Sequence, residues 1–277
     1  MKKALIILII VSIMILLYLY FEDTSLKVSN YDVKSNLLPN GFHGYKIAHI
    51  SDFHNTKSNR LKKQILKSLE EQKPNILVIT GDFIDSRRTD MNVSLEFIQK
   101  IKDIPIYYVA GNHESRIKDY NVFKEKLLNL GVIVLENTKI KLMNNGQSIH
   151  LIGLQDPSFE TGENNHNKMI KVVDNYLKML ATKDNFEVLL IHRPELFEIY
   201  TQNNVDLVFS GHAHGGQIVI PFVGPILAPN QGFFPKLTSG VHTEKNTNLV
   251  ISRGIGNSLC PIRINNNPEL IYVTLEK

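Results

Sequence analysis

Five stretches of the 277-residue sequence carry side chains able to hold a metal ion or move a proton: Asp52-Phe53-His54, Gly81-Asp82, Gly111-Asn112-His113-Glu114, His192, and Gly211-His212-Ala213-His214. Each closes a short apolar run, namely Lys46 to Ile50, Asn75 to Thr80, Ile104 to Ala110, Phe186 to Ile191 and Val205 to Ser210. Asp-x-His or His-x-His alone is common on solvated loops. Recurrence at five strand ends, with five of the ten histidines, is what points to one site. Loops at the carboxyl ends of strands in an open α/β sheet gather on one rim.

Asp52, His54, Asp82, Asn112, His192, His212 and His214 make seven candidate metal ligands, whereas a tetrahedral zinc site takes about four. Seven fit two divalent ions that share a bridge. A carboxylate spreads one charge over two oxygens, and Asp82, in the middle of the order, is the candidate bridge. Nitrogen and oxygen donors without thiolate suit borderline first-row ions, manganese first and iron or zinc as alternatives. Gly81, Gly111, Gly211, Gly215 and Gly216 would let backbone N–H groups approach a phosphate, though each is equally read as a tight turn. Asp85 is read either as the orienting partner of a ligand histidine or as a surface or cap residue. Glu114, His49 and Arg193 border the motifs and are assigned no chemistry; His43, His150, His166 and His242 are read as surface or sheet residues.

The elements that must hold these residues alternate between strand and helix. Leu61, Ile65 and Leu69 put one apolar face on a helix over Asn59 to Gln72, and Ile170, Val173, Tyr176, Leu177 and Leu180 do so over Lys168 to Leu180. Alternation of this kind predicts an α/β sheet. Asn144-Asn145-Gly146 marks a hairpin between Thr138 to Leu142 and Ser148 to Ile152. From Gln217 onward short strands and loops suggest a second sheet.

Composition narrows the remainder. The formal charge of +4 is spread along the chain without a block of like charges, too weak a signal for a nucleic-acid partner. With Cys260 as the lone cysteine, no intramolecular disulfide and no thiolate metal motif can form. No protein partner can be inferred.

Residues Ala4 to Phe21 form an unbroken apolar run whose polar members are Ser12, Tyr18 and Tyr20. As a helix these eighteen residues rise about 27 Å, close to the hydrocarbon thickness of a bilayer. A cleaved signal peptide would be shorter and end in small residues, while this run ends in aromatics suited to the membrane interface. Residues 1–21 are therefore read as an uncleaved, single-pass anchor in the cell membrane, 22–43 as a linker with a lead-in strand at Leu26 to Ser29, and 44–277 as the catalytic domain. Lys2 and Lys3 before the run, with Glu22 and Asp23 after it, put the N-terminus in the cytoplasm and the domain outside.

Taken together, Asp52-x-His54, Gly81-Asp82, Gly111-Asn112-His113-Glu114, His192 and Gly211-His212-x-His214 resemble the five blocks of the calcineurin-like metallophosphoesterases, over roughly residues 45 to 217. Gly211 to Gln217, Arg253 to Ser258 and Pro268-Glu269-Leu270 resemble a bacterial, membrane-associated phosphodiesterase branch of that family, although the twin-arginine signal of some members is missing. The resemblance implies a four-layer α/β/β/α sandwich with two sheets face to face. It implies one metal held by Asp52, His54, Asp82 and His214 and a second by Asp82, Asn112, His192 and His212, with His113 as the catalytic histidine. The expected activity is hydrolysis of a phosphate ester, a diester or pyrophosphate, on the outer side of the membrane. A non-catalytic metal-binding module and a secreted nucleotide phosphodiesterase are the alternatives. Val219 to Pro229 and Phe233-Phe234-Pro235 are read two ways: as core covering the second sheet, or as an apolar lip for a lipid-linked substrate.

Overall fold

A computed structural model describes residues 2–162, 165–182, 184–257 and 261–277; Ser258 and Cys260 fall outside the described residues. After helix α1 (Lys2–Thr24) come β1 (Lys27–Lys34), β2 (Lys46–Ile50), α2 (Asn59–Gln72), β3 (Ile76–Thr80), α3 (Met91–Gln99), β4 (Ile106–Val109), α4 (Asn112–Ser115), α5 (Tyr120–Asn129) and β5 (Ile133–Val134). The hairpin of β6 (Thr138–Asn144) and β7 (Gln147–Gly153) leads to α6 (Ser158–Thr161), α7 (His166–Leu180), β8 (Glu187–Leu190), α8 (Phe197–Gln202) and β9 (Leu207–Ser210). Two small hairpins follow, β10 (Val219–Ile220) with β11 (Gly224–Pro225), and β12 (Leu227–Ala228) with β13 (Gly232–Phe233). The chain closes with β14 (Gly240–Glu244), β15 (Thr247–Ile251) and β16 (Glu269–Glu276).

Two six-stranded sheets result, ordered β1-β16-β2-β3-β4-β5 and β14-β15-β9-β8-β7-β6. β2, β3 and β4 run parallel, with Ile47 beside Ile76 and Leu77 beside Ile106, and β7, β8, β9 and β15 are parallel in the other sheet. Three separate cores divide the layers. One lies between the sheets (Ile47, Val78, Val109, Leu151, Val188, Leu207), one under α2, α3 and α5 (Leu61, Ile65, Phe97, Phe123), and one under α7 and α8 (Val173, Leu177, Ile199). Four layers, α/β/β/α, are what three cores require. β3 shows why its sequence reads as continuous apolar: Ile76 and Val78 enter the inter-sheet core while Leu77 and Ile79 enter the helix-side core, as in a strand covered on both faces.

Helix ends follow local chemistry. The Ser58 hydroxyl accepts from Leu61 N–H at the start of α2, satisfying a donor with no partner inside the helix, and Lys73 ends it in a left-handed turn. Asn165 caps α7 in the same way through Lys168 N–H. α7 also buries Met169, an apolar member of the face that periodicity omitted.

The structure departs from the sequence reading at three places. Residues from Gln217 onward do not make the whole second sheet: apart from two two-stranded hairpins, β14 and β15 extend the sheet of β8 and β9, while β16 crosses back between β1 and β2. Apolar runs carry no label saying which sheet they join. The lead-in strand spans Lys27–Lys34 and pairs in parallel with β16, so much of the 22–43 segment is built into the first sheet. Third, Phe222 is fully exposed, and Phe233 and Phe234 are 73% and 63% exposed, which removes the core reading for these side chains.

Candidate metal centre

Strands of both sheets end at the same rim. Asp52 follows β2 by two residues, Asp82 follows β3 by two, Asn112 follows β4 by three, and His192 and His212 follow β8 and β9 by two. Asp52, His54, Asp82, His212 and His214 all adopt positive φ, between 46° and 64°. Such a conformation costs a non-glycine residue about 1–3 kcal/mol. Five instances in one cluster mean that the surrounding contacts impose the turn that aims each side chain inward.

Those contacts come from tightly fitted neighbours. A Cβ on Gly111 would lie 2.3 Å from Asp82 Oδ1, and one on Gly211 would lie 1.8 Å from Ser51 Oγ and 2.2 Å from Asp52 Oδ2. Only a bare backbone can pass so close to the two carboxylates.

The side chains form two linked groups. Asp52 Oδ1 lies 3.2 Å from His214 Nε2, which is 3.2 Å from His54 Nε2. Across the centre, His192 Nε2 lies 3.3 Å from Asp82 Oδ2 and 3.2 Å from His212 Nδ1. Asp82 joins the groups: Oδ1 accepts from His113 N–H at 2.8 Å, leaving Oδ2 to face His54 Nε2 at 3.7 Å, His192 Nε2 and His113 Nε2 at 3.9 Å. Six of the seven candidate ligands therefore meet at one rim, sorting as Asp52/His54/His214 and Asp82/His192/His212, with Asn112, the seventh, buried at the start of α4 and next to His113 in sequence.

At three of the four candidate ligand histidines electrostatics disfavour a proton and leave a lone pair for a cation. Burial pulls His54 and His212 down to about 3 and His214 well below its ordinary range, so these imidazoles keep the lone pair that coordination needs. Burial pushes Asp52 up to about 6. It works against the Asp82 charge too, but His192, His113 and His54 hold that carboxyl well below the usual range. His192 behaves differently: burial disfavours its charge, yet Asp82 beside it lifts it to about 10. The neutral imidazole nitrogens of His54 and His214, 3.2 Å apart and each facing a carboxylate oxygen, are a donor set suited to a divalent ion, whereas His192 beside His212 must give up its proton to serve as a ligand.

His113 stands apart from the ligand pairs. Ser86 N–H donates to its Nδ1 at 3.0 Å, which places the proton of the neutral ring on Nε2, the atom that faces Asp82. Asp85 Oδ1 lies 3.3 Å from the same Nδ1. Asp85 is buried and not a surface residue; burial opposes its charge, but hydrogen bonds from Arg87 and Arg88 hold it well below the usual carboxylate range. It turns toward His113 and His54.

Two supports escaped the sequence reading. Glu114, fully buried, accepts from the backbone N–H groups of Asp82, Ile84 and Gly111 at 2.9, 3.0 and 2.7 Å, tying together the loops after β3 and β4. Burial and then the Asp82 charge push it up to about 7. Arg193, also buried, pairs with Asp156 through two bonds of 2.7 and 3.1 Å, and Asp156 N–H donates to Ala110 O, linking the β4 loop to the β8 loop that carries His192. Adjacency to a candidate ligand was the signal for both residues. Except for Gly111, their partners lie 30 to 37 residues away, too far along the chain to be paired by inspection.

Two facing sheets that bring paired His/Asp groups to a shared carboxylate make the framework of a metal-dependent phosphoester hydrolase. Residues 45–216 match the profile described as Calcineurin-like phosphoesterase, and the chain belongs to that family, whose members use two metal ions. It is 30% identical to the uncharacterized metallophosphoesterase YkuE of Bacillus subtilis, over 93% of this chain and 88% of that one. It is 24% identical to the phosphodiesterase YaeI of Escherichia coli, over 74% and 72%. Among solved structures, TT1561 of Thermus thermophilus superimposes with a TM-score of 0.52 at 14% identity, covering 76% of this chain and 90% of that chain, and so shares the fold.

Proposed function

We propose that the chain is a membrane-anchored phosphodiesterase or pyrophosphatase that acts on a lipid-linked substrate at the outer face of the cell membrane. The observation that carries the reading is Asp82 Oδ2 facing both histidine groups, with His113 Nε2 beside it. In this reading Asp52, His54, Asp82 and His214 hold one divalent ion and Asp82, Asn112, His192 and His212 the other, manganese first, with iron or zinc as alternatives. When bound, the ions supply Lewis acidity, drawing charge from the phosphoryl oxygens and making water acidic enough to attack near neutral pH.

The chain's own groups do the rest. Ser86 N–H holds the resting neutral ring at Nδ1; as the general acid His113 would carry protons on both nitrogens, with Asp85 facing Nδ1–H, and would pass its Nε2 proton to the leaving oxygen, keeping the Nδ1 proton beside Asp85. Buried Asp85 is itself held by Arg87 and Arg88, so the imidazole keeps one orientation through the cycle. A cleft lined by His54, Lys57 and Arg88 adjoins the centre and offers cations to a second phosphate.

α1 supports the anchor, since none of its described residues is buried and it is long and apolar enough to cross a membrane. The charge pattern about it favours a cytoplasmic N-terminus and an external domain, residues 44–277. A substrate with an apolar portion is favoured by exposed Phe233 and Phe234, on the same hairpin as Asn230, which meets His212 Nε2.

The test is the purified full chain in detergent, assayed on phosphomonoesters, diesters and pyrophosphates with each metal. Manganese-dependent cleavage of diesters or pyrophosphates, faster when lipid-linked, is expected. Absence of hydrolysis on every ester with every metal would overturn the proposal in favour of a non-catalytic module.

A further inference from the structure

Residues 218–235 contain no charged side chain, and β10–β11 and β12–β13 in this segment stand outside both sheets. They expose Ile220, Phe222 and Val223 around the turn of the first hairpin, and Leu227, Phe233 and Phe234 at the open end of the second. Contiguous apolar surface of this kind on a water-soluble domain marks a contact site. What covers it is indicated by the element it is built on.

That element is the segment to which the end of α1 is bonded. Tyr18 OH donates to Asn265 Oδ1 at 3.1 Å, and Asn265 Nδ2 donates to Val219 O in the first hairpin at 3.0 Å. Val219 N–H donates to Ile264 O, Ile226 N–H to Ile218 O, and Phe234 N–H to Ile226 O, so both hairpins hang from the same small ladder. Further along α1, Glu22 accepts from Asn266 N–H at 2.9 Å and Asp23 from Arg263 N–H at 3.0 Å. Arg263 is fully buried and donates to the carbonyls of Arg253 and Gly256, fixing this loop to the body of the domain.

Tyr18 lies six residues before the end of α1, about 9 Å along the axis. The domain thus grips the helix inside its apolar run, at the depth where Tyr18, Tyr20 and Phe21 would meet an interface. The second link is to the metal centre: Asn266 Nδ2 donates to His214 O at 2.7 Å, and Asn230, in the turn of the second hairpin, meets His212 Nε2 at 3.2 Å.

We propose that the tip of the first hairpin, Phe222/Val223, and the open end of the second, Phe233/Phe234, seat in the same lipid leaflet interface from which α1 emerges. Together with α1 they fix the domain on the bilayer with its metal centre at headgroup level. The proposal rests on α1 being a membrane anchor, and it replaces a domain swinging on a loose tether by one docked at two places. Lipid-linked phosphate then reaches His212 and His214 without its apolar chains leaving the bilayer.

The chain contains no tryptophan, so single tryptophans report depth cleanly. The full chain is reconstituted into phosphatidylcholine vesicles with or without brominated acyl chains, carrying Leu8→Trp, Phe222→Trp, Phe234→Trp or Leu128→Trp. Leu128 is exposed on α5, which packs beside β5 at the sheet edge opposite β1, and serves as the remote control. Tryptophans at 8, 222 and 234 should lose about half of their emission to bromine or more, as expected for groups sunk about 5–10 Å into the interface, and that at 128 none. Quenching at 8 with none at 222 and 234 overturns the docking and leaves the anchor. No quenching at 8 removes the anchor, and the docking falls with it. Tryptophans at 222 and 234 that resist acrylamide but are untouched by bromine would report a protein cover, a second copy included, and would overturn the lipid assignment.

Discussion

Replacing Glu114 by alanine should prevent stable folding, although the residue faces no metal directly. Its carboxylate is the partner of three buried backbone donors, those of Asp82, Ile84 and Gly111. A buried donor without a partner costs about 1–3 kcal/mol, so losing three costs about 3–9 kcal/mol against a typical total stability of about 5–15 kcal/mol. Glu114→Gln is the graded control. Its amide oxygen can keep the two bonds now made by Oε2, to Asp82 and Gly111, while its NH2 group confronts Ile84 N–H. One lost bond at about 2 kcal/mol lowers the melting temperature by about 4–8 °C in a domain of this size. The assay is a thermal melt of the metal-free full chain in detergent, followed by near-ultraviolet circular dichroism because α1 would keep its helical signal in micelles. An alanine variant that melts within about 2 °C of the wild type would refute the ladder of bonds drawn from Glu114.

Asp82→Asn should lower turnover by several orders of magnitude and reduce bound metal, because an amide bridges two cations poorly; near-native turnover with two metals retained, read by elemental analysis, would contradict the assignment. His113→Ala should keep its metals and lose about 10²–10⁴ in rate on alkyl leaving groups but far less on nitrophenol, which departs unprotonated, and equal losses on both would give His113 another role. Metal loading at pH 8 should release about two protons, one from His192, held up to about 10 without a cation, and one from the metal-activated water, while His54 and His212, near 3, are already neutral. Calorimetric titration in two buffers of different ionisation enthalpy measures it, and a buffer-independent heat would contradict it. Phe222→Ser with Val223→Ser should leave hydrolysis of a soluble nitrophenyl diester unchanged and slow hydrolysis of a lipid phosphodiester in vesicles, so equal losses on the two substrates would count against lipid docking.

Much of the site was legible because metal chemistry restricts residue types and strand ends restrict their positions. Asp52, Asp82, His192 and His212 each stand two residues past a buried apolar run, and that spacing survives folding. α2 was legible for a similar reason, since Leu61, Ile65 and Leu69 alone define its buried face. The supports were not. Asp156 and Arg193 are 37 residues apart, and nothing in either neighbourhood announces a buried ion pair. Asp85 looked like a loop carboxylate because its burial arises from Arg87, Arg88 and His113 folding over it. Sheet membership was hidden because β16, last in sequence, fills a gap between β1 and β2 that only the tertiary fold opens. The apolar 218–235 segment has a core-like composition, and its exposure comes from hairpins that leave both sheets.

Metal-free protein titrated with manganese, with the rate on a nitrophenyl phosphodiester read against ions bound per chain, joins the geometry to the chemistry in one curve. With Asp82 shared between two groups of ligands, activity should rise with the second equivalent and saturate at two ions per chain. Full activity with one ion bound, or with none, would contradict a centre built from both groups.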